Sequence, residues 1–156
     1  MLKPVKRTST RRGGGTFAIV ASQYNRRYVD SMLRAAGRSL RAAGAEKVVV
    51  VRVPGAYEIP IVAARLARAH PTPFSAILCL GVILRGQTSH AQHIGEVVSH
   101  ALAQIQIRHE VPVIHEVLLL ENEQQAKARC LSRQHNRGTE AAQTALAMAR
   151  IMKRLT

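Results

Sequence analysis

Tryptophan is absent from this chain, and two phenylalanines and three tyrosines are its only aromatic residues. An interior without large rings has to be filled by Val, Ile, Leu, Ala and Met, which suits helices packed on a buried sheet. The same scarcity argues against base stacking, because Phe17, Tyr24, Tyr28, Tyr57 and Phe74 form no platform pattern. Two cysteines, Cys79 and Cys130, are too few for a disulfide framework, and Cys79 lies inside an apolar run. A cytoplasmic, reducing location is therefore expected. No apolar run approaches the roughly 18 residues of a membrane span, so no membrane partner is expected. Acidic residues are scarce as well: nine against 23 Lys and Arg leave a formal net charge of +14. The basic residues are dispersed, not gathered in one recognition helix. The charge thus reads as a solvated surface on an enzyme of anionic substrates, with nucleic acid bound only non-specifically if at all.

What is present is enough for one core. The chain has 156 residues, 47% of them hydrophobic, which fits a single domain. Residues 1–15 are basic and Gly-rich, with no apolar stretch of a secretory signal, and read as a disordered arm. Residues 16–156 read as the domain.

Within it, short apolar runs alternate with helical periodicity. Residues 16–22 (TFAIVAS) read as a buried strand; Val29, Met32, Leu33, Ala36, Leu40 and Ala43 then recur at helical spacing, with Gly44 placed as a C-cap. Residues 47–53 (KVVVVRV) read as a second strand, followed by a Pro54-Gly55 turn. The next helix carries Ile59, Val62, Ala63 and Leu66, with Pro60 in its first turn. Residues 75–84 (SAILCLGVIL) form the third strand, and a helix with Ile94, Val97, Val98, Ala101, Leu102 and Ile105 on one face follows. Residues 111–120 form the fourth. A short helix near residues 123–130 and a longer one from about Thr139, with Ala145, Met148, Ala149 and Met152 inward, end the chain. Continuously apolar strands alternating with helices predict an α/β fold, a three-layer α/β/α sandwich with a flavodoxin-like four-stranded parallel sheet. Ligands in such folds bind beyond the carboxyl ends of the strands.

Those ends carry the candidate site. After the first strand, Tyr24 can stack on a flat heterocycle or pack as an ordinary helix staple. After the second, Glu58 falls in a first helical turn, where the helix dipole alone favours a carboxylate and a substrate hydroxyl or amine could also be held. After the third comes GVILRGQTSH (residues 81–90), in which Gly86 permits close backbone approach and Gln87, Thr88 and Ser89 offer amides to an anion. Ser89 and Gln92 also fit a capping box. His90 is placed to exchange protons beside a bound phosphate. His90 and His93 find no ligand partner beyond Glu96, so no metal is expected. Arg129 and Arg137 suit a phosphate through charge-assisted bonds.

Taken in order, VPGAYEIP at 53–60, GVILRGQTSH at 81–90, Tyr24-Asn25, residues 123–126 (EQQA) and NRGTEAA at 136–142 resemble the lumazine synthase family, over residues 17–152. The resemblance implies condensation of 5-amino-6-(D-ribitylamino)uracil with 3,4-dihydroxy-2-butanone 4-phosphate in riboflavin biosynthesis. It implies no metal or organic cofactor, because amine and ketone are intrinsically reactive. By resemblance, Tyr24 stacks on the pyrimidine, the backbone of Val82, Ile83 and Leu84 binds its edge, and Ala56, Tyr57 and Glu58 hold the ring and ribityl chain. Gln87 and Thr88 cradle the phosphate with Arg129, Arg137 stands nearby, and His90 transfers protons. The family also implies a homo-oligomer, a pentamer or pentamer-based assembly with sites between subunits, and a riboflavin synthase as a candidate partner. The chain departs from the pattern at His115, where an aromatic is usual, at Glu116 in place of Gly, at Leu119-Leu120 in place of small hydroxyl residues, and at Gln92, often acidic. His115 is expected to replace the aromatic wall, and to point opposite to Glu116. The alternatives are a catalytically weak paralogue that binds a flavin or lumazine, and a basic polyanion-binding assembly.

Overall fold

The computed structural model describes residues 3–4 and 14–156. The expected N-terminal arm thus lies largely outside the described residues. Four parallel strands, β1 (Thr16–Ser22), β2 (Lys47–Val53), β3 (Ala76–Leu84) and β4 (Val113–Leu120), form one sheet in the order β2-β1-β3-β4. Helices α1 (Arg26–Ala42) and α5 (Arg137–Arg154) cover one face; α2 (Ile59–Arg68) and α3 (His90–His109) cover the other. The chain steps outward from β1 to β2 through α1, then back across to β3 and β4 through α2 and α3. Reversing direction while keeping right-handed crossovers puts those helices on opposite faces. The sandwich is the one that alternation predicts.

Side chains alternate across the sheet as a period of two requires. Phe17, Ile19, Leu78 and Leu80 join Met32, Leu40 and Ala145 in one core, while Val20, Ile77, Ile59 and Leu102 join the other. The end of α1 is a Schellman motif: Gly44 at φ 86° donates to Arg41 O, and Ala45 donates to Leu40 O. Where α5 crosses α1, Gly138 lies so close that a Cβ there would overlap the Met32 carbonyl, so only glycine fits.

Several local expectations change. The helix α5 begins at Arg137 instead of near Thr139, because Asn136 Oδ1 accepts from Gly138 N at 2.9 Å and caps it. The short fourth helix, α4 (Glu123–Ala126), runs on into a π-turn at Lys127–Leu131. Val98, Leu102 and Ile105 of α3 are buried as expected, but Val97 is 52% exposed. The Ser89–Gln92 capping box does not form: Ser89 makes no side-chain cap bond, Thr88 Oγ1 accepts from His90 N at 3.4 Å, and Gln92 turns to Glu96 and Arg85.

Candidate functional site

Three loops meet at the carboxyl end of the sheet, on either side of the point where the connections from β1 and β3 diverge. Backbone bonds join the first two: Gln23 N donates to Val53 O at 2.7 Å, and Tyr24 N to Pro54 O at 3.0 Å. The third is tied in by Asn25, whose Nδ2 donates to Val82 O at 2.8 Å. Asn25 sits at φ 56°, a left-handed conformation that Asn tolerates better than most residues, just before α1 begins. This fixes Tyr24 outside the core, with its side chain largely in solvent at 74% exposure. Residues Ala56–Glu58 form a single 3₁₀ turn leading into α2, and Glu58 Oε2 accepts from Gly55 N at 2.9 Å. The glutamate therefore has a local structural duty in addition to any contact with a ligand. Tyr57, on that turn, is also largely exposed.

Val82 is buried, Ile83 and Leu84 are half-buried at the tip of β3, and residues 85–90 are exposed around Gly86. Nothing stands within 4 Å of a Cβ built at Gly86, so space is not what requires glycine there. Arg85 closes the far side of this loop through its N–H to Leu120 O at 2.8 Å and its side chain to Glu121 at 3.1 Å. Tyr24, the Ala56–Glu58 turn, the β3 tip, Gln87, Thr88 and His90 thus share one open rim. A flat ring could lie across it, with exposed amides and an imidazole at one end.

The remaining candidates stand elsewhere. His115 pairs in register with Cys79, five residues short of the β3 tip at Leu84, a distance of about 16 Å along a strand. It is exposed at the outer edge of the sheet, on the α3 side. Its Nδ1 accepts from Val117 N at 3.1 Å, and its Nε2 lies 2.7 Å from Ser99 Oγ, which donates to Gly95 O at 2.7 Å. The ring is neutral in this chain of bonds, with the proton on Nε2. Although the residue as a whole is exposed, its ring is partly desolvated, which pulls its pKa below the ordinary 6.5, against a backbone hydrogen bond that raises it.

Glu116 points the opposite way, as alternation requires, and is buried under α5. Arg137 clasps it through Nε and Nη2, both at 3.0 Å, and reaches Glu140 at 2.9 Å. Burial pushes the Glu116 carboxyl up while the Arg137 bonds and charge pull it back. Burial acts to lower Arg137, but its bonds to Glu116 outweigh that and it ends raised. Arg129 lies near enough to Glu116 to favour its charged form, yet no carboxylate among the described residues is within ion-pair distance of it. Neighbouring Cys130 is pushed up to about 12, chiefly by burial, and stays a thiol.

A family model for 6,7-dimethyl-8-ribityllumazine synthase matches residues 14–153. The chain belongs to the 6,7-dimethyl-8-ribityllumazine synthase family. Among curated proteins it is similar to the 6,7-dimethyl-8-ribityllumazine synthases of two Stenotrophomonas maltophilia strains, R551-3 and K279a, each 40% identical over 89% of this chain and 90% of the relative. That of Xanthomonas euvesicatoria is 38% identical over the same shares. The ordered motifs therefore pointed to the right family. Two of them owe part of their pattern to folding: NRGTEAA supplies the Asn136 cap and the Gly138 crossing, and VPGAYEIP supplies the Glu58 bond to Gly55. Residue reasoning gave no role to Asn25, whose tolerance of positive φ was the available signal. It also missed Ser99, which no sequence pattern links to His115.

Proposed function

We propose that this chain makes 6,7-dimethyl-8-ribityllumazine, phosphate and water from 5-amino-6-(D-ribitylamino)uracil and 3,4-dihydroxy-2-butanone 4-phosphate, in the cytoplasm and without a cofactor. Family membership carries this reading, and the rim at the sheet's carboxyl end supports it. Tyr24 stacks on the pyrimidine; the Val82–Leu84 backbone meets its polar edge; and Ala56, Tyr57 and Glu58 hold ring and ribityl chain. Gln87, Thr88 and Arg129 bind the butanone phosphate. His90 moves protons during imine formation and phosphate departure. Holding an intrinsically reactive amine and ketone together supplies much of the acceleration.

The separation of His115, and of Glu116 with its partner Arg137, from the β3 tip supports a second proposal: one subunit's rim is completed by the β4 side of the next. Exposed Ile61, Val97 and Ile107 on α2 and α3, and a β2 edge of successive valines that pairs with no further strand among the described residues, are surfaces that such an assembly would cover. A pentamer, or an assembly of pentamers, is the form we favour, and riboflavin synthase is its candidate partner. Arg129, with no carboxylate among the described residues within ion-pair distance, is the stronger phosphate ligand; Arg137 is held by Glu116 and Glu140 and adds charge nearby.

Subunit mixing tests both proposals together. His90→Ala and Arg129→Ala proteins, each weak alone, should regain part of wild-type turnover after co-refolding, because some interfaces then pair an intact His90 with an intact Arg129. Turnover that stays at the mean of the parents, in particles shown to be mixed, would place both residues in one subunit's site.

A further inference from the structure

Away from the rim, α1 and α5 run side by side and leave a cleft of about 810 Å³ between them, extended by the loop that follows the π-turn. It lies within the size range of small-molecule sites. Among the described residues its charged lining is of one sign: Arg34 and Arg38 from α1 and Arg133 from the loop, with no Asp or Glu. Ser39 and Thr139 also line it.

Like most of the described arginines of this acid-poor chain, these three are not engaged by a carboxylate. Arg26 and Arg52 share Asp30, Arg85 has Glu121, and Arg137 has two glutamates. Arg34, Arg38 and Arg133 have no carboxylate within ion-pair distance among the described residues. Arg34 and Arg38 stand one turn apart on α1, a like-charge spacing that weakens a helix unless an anion lies between them. The helix dipole accounts for a cation in the last turn, as at Arg41, but not for a pair placed before it. Three arginines lining one cleft, together with Ser39 and Thr139, offer forked donors suited to phosphate oxygens.

We infer that the α1–α5 cleft is a binding site for a compact polyphosphate anion, separate from the substrate rim. Its bounded volume and the absence of any aromatic among the described residues of its lining favour linked phosphates over a single-stranded nucleic acid, which needs stacking surfaces. This inference does not rest on the proposed reaction.

The test is calorimetric titration of the assembled protein with inorganic tripolyphosphate at physiological salt. Saturable binding is expected, weakened about tenfold or more in Arg34→Gln/Arg38→Gln. It should be unchanged in Arg129→Gln, which alters the proposed contact to the butanone phosphate, and in Arg65→Gln/Arg68→Gln, which removes equal charge from α2. Circular dichroism and lumazine formation should match wild type in the cleft variant, showing that the fold and the rim are intact. Equal weakening by the α2 control would mean diffuse attraction to a +14 chain and would overturn the site. So would loss of binding in Arg129→Gln alone, absence of binding in the assembled protein, or capture of an oligothymidylate through these arginines while tripolyphosphate fails to bind.

Discussion

Replacing His115 with Phe restores an aromatic ring at the position where the chain departs from its family, and the structure sets what that change costs. The imidazole accepts an otherwise unpaired edge-strand N–H from Val117 and meets Ser99 Oγ. Phenylalanine can do neither. Each neutral hydrogen bond contributes about 1 kcal/mol net. Water at the exposed β4 edge recovers part of that, so the loss should be about 1–2 kcal/mol, or a few degrees in Tm for a chain of this length. The pH dependence is more diagnostic than the size. The folded-state pKa of His115 lies below 6.5, so its contribution is complete above the unfolded value and declines as pH falls through the folded one. Protonation turns Nδ1 into a donor facing another donor. Wild type should therefore exceed His115→Phe in stability at about pH 8, and the gap should narrow toward about pH 5. Urea denaturation of both proteins at equal concentration measures it, since subunit association also contributes. A gap that is constant, or that widens in acid, would refute the neutral Nε2–H arrangement. With the proposed interface, the same variant should keep turnover and flatten the acid side of the KM profile for the pyrimidine.

Other outcomes follow from single contacts. Gly138→Ala forces a methyl into the Met32 carbonyl and should cost about 3 kcal/mol or more, read as a large drop in urea midpoint or failure to fold solubly. Asn136→Ala removes the α5 cap and the bond to Cys130 O at 2.7 Å, and should lower stability by about 2 kcal/mol in the same assay. Steady-state kinetics should show a larger rise in KM for the butanone phosphate in Arg129→Ala than in Arg137→Ala, because only the second guanidinium is already engaged by carboxylates.

The sheet and its order of helices were legible because four short, mostly apolar runs read as buried strands, and the helices between them keep a clear period. Element ends were less legible. Asn136 reads equally well as loop or cap until its partners Gly138 and Cys130 are brought close, and the Ser89–Gln92 pattern lost to competition from Glu96 and Arg85. In the site, the rim residues sit next to one another along the strand ends, so fold class alone gathers them. His115, and Glu116 with the Arg137 that clasps it, sit several residues short of the β3 tip, and periodicity within one chain carries no information on whether a neighbouring copy meets them. The clasp of Glu116 by Arg137 was hidden for a related reason: the two are far apart in sequence, and each alone reads as surface charge.

The central claim is that this chain catalyses lumazine formation at the rim that holds His90. Mixing purified protein with both substrates and following lumazine absorbance tests it most directly. The account predicts product and phosphate released together at a rate well above the protein-free condensation, with kcat reduced about tenfold or more in His90→Ala. A folded, assembled wild-type protein whose progress curve overlays that of buffer alone would contradict it.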